Sequence, residues 1–280
     1  MMEEHSYVEF KRERDLGAII TDTFKFIRIE WKPFFTFIFK VAIIPILLSF
    51  GISAYANTFV MNPSFNIAPI VLNLFNYLLL CVIYYLITLS ALSYIKSYIE
   101  NNGAVDVSEI NAYKTANMLP FLGMGFVSWI LITVSVVLCF FPAFYTVTVL
   151  SFVGCIYIFE NKTSMDSIGA CFSFVKGHFW ESLGILFVVG LLLAVLGFVF
   201  SLPTVIYTMI EAFSVMQSND VTQISGLFSN PVFLLFAFIS SIAQQLFGAV
   251  FAVSIAFIYF DINEQKNASG TIDQIDDLGR

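Results

Sequence analysis

His178 and Glu181 stand three residues apart in the run His178-Phe179-Trp180-Glu181, which puts an imidazole and a carboxylate on one face of a helix. With Glu160 and Asp166 close by in sequence, they are the chain's nearest approach to a metal site or to an acid/base pair acting on a lipid head group. Water and head groups at a membrane boundary account for the same residues more simply. No second histidine lies in the membrane-facing segments, and neither a Gly-rich phosphate loop nor a nucleophile motif accompanies the pair. No catalytic residue, metal ligand or cofactor is therefore assigned.

Four amides could do other work: Asn73 and Asn76, and the adjacent pair Gln244 and Gln245, all inside long apolar runs. Such amides either pack helices together, at about 0.6 kcal/mol and at most about 2 per bond, or line a pathway. Gln244 and Gln245 are about 100° apart around a helix, so at least one is expected to point inward. Gly190, Ala194 and Gly197 read as a close helix contact, and Pro45 and Pro203 as kinks. Cys81, Cys139, Cys155 and Cys171 are scattered singly and read as small core residues.

The elements that hold these residues follow from composition. Apolar residues make up 59% of the chain and charged ones 12%, more apolar surface than a soluble core needs. A transmembrane helix takes about 20 mostly apolar residues. Six segments qualify: roughly 34–56, 68–95, 118–141, 143–159, 183–210 and 231–260. The third and fourth form one run that would be about 60 Å long as a single helix, so a tight hairpin is expected at Phe141, Pro142 and Ala143.

Charge orients these spans. Lys11, Arg12, Arg14, Lys25, Arg28 and Lys32 precede the first span, and Lys40 lies just within it. Lys96 and Lys114 join the second to the third, Lys162 and Lys176 the fourth to the fifth, and Lys266 and Arg280 follow the sixth. Segments 57–67, 141–142 and 211–230 have neither Lys nor Arg, so both termini are expected in the cytoplasm. The net charge of −7 does not support nucleic-acid binding. Asp273, Asp276 and Asp277 in the tail lack the glycine and spacing of a calcium loop. The first fifteen residues lack a signal-peptide core, so the first span is expected to act as insertion signal.

A short amphipathic segment precedes each pair of spans. Leu16, Ile20, Phe24, Ile27 and Trp31 build an apolar stripe beside the basic Lys25, Arg28 and Lys32, with Asp15 as N-cap. Asp106 with Glu109 forms a capping box before Ile110 and Tyr113. Thr163 with Asp166 repeats it before Met165, Ile168, Phe172, Val175 and Phe179. Lys25, Arg28, Trp31 and Lys32 are the expected membrane-surface residues. The expected fold is thus all-α: a polytopic membrane protein with six transmembrane helices, arranged as three hairpins each preceded by a cytoplasmic-side amphipathic helix. It divides into a polar segment 1–14, a membrane domain 15–260 and a cytoplasmic tail 261–280.

Asp22-Thr23-Phe24 with Arg28, then Glu160 leading into Ala170, Phe172, Lys176-Gly177 and Phe179-Trp180, then Tyr259-Phe260-Asp261 form a recurring pattern. In these residues the chain resembles the six-span membrane domain found fused to bacterial glycerophosphodiester phosphodiesterases, together with its stand-alone relatives of unknown function. Where such proteins often follow the closing Asp with an Arg pair, this chain has Ile262-Asn263-Glu264-Gln265. The resemblance implies a bacterial inner-membrane protein without implying a reaction, because the fused enzymes' activity belongs to a separate soluble barrel of about 250 residues. The expected role is a non-catalytic scaffold or regulator of a membrane partner, with the lipid bilayer as its surroundings. The alternatives are a carrier for a lipid or other amphiphile, and a lipid-modifying enzyme using His178 and Glu181. Nothing in the sequence sets an oligomeric state.

Overall fold

The computed structural model describes residues 7–58, 67–138, 140–218 and 230–267. The tips of the expected loops 57–67 and 211–230, and most of the expected tail, lie outside the described residues. Those described form helices α1 (Leu16–Thr58), α2 (Ala68–Glu100), α3 (Val107–Leu138), α4 (Phe140–Leu150), α5 (Val153–Phe159), α6 (Ser164–Phe174), α7 (Phe179–Ser218) and α8 (Pro231–Asn267). Helices α4 and α5 are one span with a turn at Ser151 and Phe152. Six stretches are long and apolar enough to cross a bilayer, and the chain is an all-α polytopic membrane protein.

The hairpin between the third and fourth spans turns slightly before its expected place. Helix α3 stops at Leu138 and α4 starts at Phe140. Pro142 thus falls in the first turn of α4, where its missing N–H is not needed.

All three expected N-caps are made. Asp15 Oδ1 accepts from the Ala18 N–H at 2.7 Å, Asp106 Oδ1 from the Ser108 N–H at 2.8 Å, and Thr163 Oγ1 from the Asp166 N–H at 3.3 Å. The Ser108 bonds hold the Asp106 carboxyl below its usual range. At the other end of α2, Gly103 takes φ +97°, a conformation open to glycine, and its N–H closes the helix on the Tyr98 carbonyl at 2.8 Å.

The three surface segments differ in how they meet their spans. Only the third, α6, is a helix of its own; a turn at Gly177, with φ +93°, separates it from α7. The second is the first turns of α3, and the first is the first half of α1. Helix α1 has 43 residues, so it is about 65 Å long and outruns the hydrocarbon. Around it, Leu16, Phe24 and Trp31 of the expected stripe are exposed, while Ile19, Asp22, Thr23, Phe26, Glu30 and Phe34 face the protein.

Helix α1 packs on α2 and α8, α2 on α3 and α8, α3 on α4, and α7 on α8, whereas α4 and α7 meet only sparsely. The seam between α4 and α7 is thus a loosely packed one. Residues 7–14, the described part of the segment set apart in sequence as polar, do not stand free. They lie against one end of the bundle, where Phe10 is fully buried, stacked 4.3 Å from Phe257 and edge-on to Phe26 and Tyr98. The same end carries the α2–α3 and α5–α6–α7 connections and the end of α8, joined by Lys96 to Asn161 and by Lys266 to the Phe174 carbonyl. Its lysines make it the basic pole.

Candidate functional site

At the basic pole, the Arg14 side chain makes four hydrogen bonds. It is completely buried. Nε donates to Asp22 Oδ2 at 2.9 Å, Nη1 to the carbonyls of Phe10 at 2.7 Å and Arg12 at 3.0 Å, and Nη2 to the Glu9 carbonyl. The guanidinium carbon stands 4.9 Å from the Phe257 ring centre. The backbone N–H of Arg14 donates to Asp261 Oδ1 at 2.7 Å, and Gln265 Nε2 donates to the other carboxylate oxygen at 3.1 Å. Arg12 joins from the surface, donating to Asp22 Oδ2 at 2.8 Å. Burial draws the Arg14 guanidinium below its ordinary value and its bond to Asp22 pulls it back.

Beside this knot the Tyr94 hydroxyl donates to Glu30 Oε2 at 2.7 Å, and the Val8 N–H donates to the Tyr98 hydroxyl at 3.0 Å. The Tyr259 hydroxyl donates to Glu160 Oε1 at 3.0 Å, and Glu160 also pairs with Lys162 at 2.6 Å. Asp22, Glu160, Tyr259 and Asp261, quoted above from three distant motifs, therefore meet at one pole. Arg14, the residue that ties Asp22 to Asp261, was not singled out in sequence. Its only signal there is an arginine one residue before a helix cap, and Arg12 two residues earlier sends the same signal.

His178 Nδ1 lies 3.5 Å from Glu181 Oε2, with Glu181 half-exposed at the start of α7. Among the described residues no group of three His, Cys, Asp or Glu side chains could hold a metal. Burial, together with nearby Glu160, pushes the Cys171 thiol up to about 12, which keeps it protonated rather than a nucleophile. Among the described residues, Glu181 is the ion-pair partner of His178.

The amides separate. Asn76 Oδ1 accepts from Ser49 Oγ at 2.7 Å, joining α1 to α2, and Asn73 donates to the Pro69 carbonyl of its own helix at 2.9 Å. Gln245 is half-buried, and Gln244, though exposed, borders a groove between α7 and α8 beside Gly197 and Phe247. In the expected glycine contact, a Cβ on Gly197 would meet Phe247 at 3.9 Å, but one on Gly190 would meet nothing within 4 Å. Lys25, Arg28, Trp31 and Lys32 are all exposed along α1, and the Lys32 ammonium stands 5.7 Å from the Trp31 ring centre.

None of those four amides lines a second, apolar cavity. It has a volume of about 280 Å³ and lies between α2, α3, α4, α5, α7 and α8. Tyr85, Phe121, Gly154, Leu186, Phe187 and Ala252 give it apolar walls. Three hydroxyls in the wall are satisfied by their own helices: Thr88 donates to the Tyr84 carbonyl, Thr148 to Phe144 and Ser151 to Val147, at 2.8–2.9 Å. An occupant would thus find carbon and few free donors. Exposed Phe144 and Phe187, from α4 and α7, put the cavity at the loose seam.

No protein-family model matches the chain, and neither a curated protein nor a solved structure matches it.

Proposed function

We propose that the chain is a non-catalytic protein of a bacterial cytoplasmic membrane that holds the apolar part of an amphiphile in the cavity between α2, α3, α4, α5, α7 and α8. The single observation that supports this is the chemistry of the walls, which are largely apolar and whose Thr88, Thr148 and Ser151 hydroxyls donate to their own helices. An apolar cavity of this size stays dry and suits hydrocarbon, and its place at the α4–α7 seam opens a route from the bilayer. The scaffold reading shares the non-catalytic part but needs no cavity. The meeting of Asp22, Glu160, Tyr259 and Asp261 supports kinship with the membrane domain of the phosphodiesterase fusions, because short motifs far apart in sequence share one structural task.

Phenylalanine at Ala252 should fill the cavity from a buried wall position. In protein purified in mild detergent, native mass spectrometry should show bound lipid falling about tenfold, a loss of about 1.4 kcal/mol in binding, with thermal stability held or raised. Lipid retained unchanged by Ala252→Phe would reject the cavity as its site. A protein partner that co-purifies stoichiometrically with wild type and Ala252→Phe alike, without bound lipid, would favour the scaffold.

Both termini are assigned to the cytoplasm, since the lysines of three connections collect at one pole. In a cysteine-free background, Ile67→Cys at the opposite pole should react with an impermeant thiol reagent in intact cells, and Val107→Cys at the basic pole should not. The reverse pattern would invert the orientation.

A further inference from the structure

Between the end of α2 and the start of α3, a pocket of about 220 Å³ is lined by Ser93, Lys96, Ser97 and Glu100 of the one helix and Glu109 and Tyr113 of the other. Its charges are unmatched. The half-buried Lys96 ammonium is held by neutral groups: it donates to Asn161 Oδ1 at 3.0 Å and to the Ile158 carbonyl at 3.3 Å, and lies 4.5 Å from the Tyr113 ring centre. An ammonium has three donors, so one is left. Among the described residues no carboxylate pairs with Lys96, and neither Glu100 nor Glu109 pairs with a cation. Ser93, also in the wall, is buried with its hydroxyl unpartnered. Lys96 and Glu100 are four apart on α2, but a lysine N-terminal to the glutamate is the weaker order for a helical ion pair. Lys96 is anchored on the α5–α6 connection instead.

We propose that this pocket binds a phosphorylated primary amine, the zwitterionic group of a phosphoethanolamine lipid, with the phosphate on Lys96 and the ammonium on Glu100 and Glu109. Depth supports the pairing. Helix α2 leaves the membrane toward Glu100, so Lys96 lies one turn, about 6 Å, nearer the hydrocarbon. In such a lipid the phosphate is esterified to the glycerol and lies deeper than the terminal amine, the same order of charge. A phosphoglycerol head group would satisfy Lys96 but place its second surface against two carboxylates. A bare cation would satisfy the carboxylates and be repelled by Lys96. A phosphocholine head group has no N–H to donate, and the Tyr113 face that would receive it is taken by Lys96. The site does not depend on the apolar cavity being occupied.

The test is a native mass spectrometry titration of delipidated protein with phosphoethanolamine, phosphocholine and phosphoglycerol lipids and with soluble phosphoethanolamine. The phosphoethanolamine lipid should bind about tenfold more tightly than the other two lipids. Lys96→Gln should lower that affinity and Lys96→Arg should keep it. Glu100→Gln combined with Glu109→Gln should erase the preference and raise phosphoglycerol binding, a reversal that misfolding cannot produce. Competition by soluble phosphoethanolamine at equal concentration would identify the free compound as the source of the same chemistry, and its failure to compete would identify the lipid. Equal binding of all three lipids by wild type, or an unaltered preference in the double glutamine variant, overturns the proposal. The preference should survive Ala252→Phe, which separates failure of this site from failure of the cavity reading.

Discussion

An Arg14→Ala variant should unfold well below the wild-type temperature in detergent, and an Arg12→Ala variant should hardly move. Both guanidinium groups reach the same oxygen of Asp22, at 2.9 and 2.8 Å, but the Arg14 side chain is fully buried and that of Arg12 is 50% exposed. Removing Arg12 gives up an ion pair that water screens, at about 0–1 kcal/mol. Removing Arg14 takes the guanidinium donors away from the carbonyls of Glu9, Phe10 and Arg12 and leaves Asp22 largely buried with one surface partner. Loss of one member of a buried pair costs about 3–5 kcal/mol. Arg14→Lys should fall between the two, because one ammonium cannot replace a guanidinium that donates in four directions. Size-exclusion profiles of heated samples read the difference, and equal shifts for Arg12→Ala and Arg14→Ala would show that the knot adds no stability.

The contrast between these arginines also marks where sequence reading stops. Spans and caps are local: an apolar window needs no partner to be recognised, and Asp15, Asp106 and Thr163 cap helices that begin within a few residues of them. The stripe of α1 was legible only in part: Leu16, Phe24 and Trp31 end exposed, whereas Ile20 and Ile27 pack partly against the core. The inward face of α1 was not legible. Asp22 and Glu30 are carboxylates that a membrane-surface helix would show to water, and they are buried only because Arg14 and Tyr94 arrive from elsewhere in the chain. Arg14 itself sits in Lys11-Arg12-Glu13-Arg14, where alternating charge hides which side chain turns in. The Lys96 pocket was hidden for the same reason, because Asn161 and Tyr113, which fix Lys96, are 65 and 17 positions away by number. The apolar cavity draws its wall from six helices, and no periodicity within one helix encodes a gap between several.

Gly125→Ala and Gly123→Ala, two positions apart in α3, should change stability in opposite directions. A Cβ on Gly123 would meet nothing within 4 Å, so alanine there should be neutral or stabilising by up to about 1 kcal/mol, through helix propensity alone. A Cβ on Gly125 would stand 2.6 Å from Tyr85 Cγ and 2.7 Å from both Cδ atoms. These atoms are the root of the ring rather than its flexible far end, so the whole side chain must turn or α2 and α3 must part. Overpacking of this kind costs about 1–3 kcal/mol. Tyr85 lines the apolar cavity, and that space is where the ring can go. Gly125→Ala should therefore lose bound lipid along with stability, whereas Gly123→Ala should lose neither. Tyr85→Ala added to Gly125→Ala should recover part of the stability, since the new methyl then has room, so the two substitutions should couple in a double-mutant cycle. Additive effects would mean that the ring relaxes at no cost and that the close α2–α3 approach at Gly125 does not require glycine.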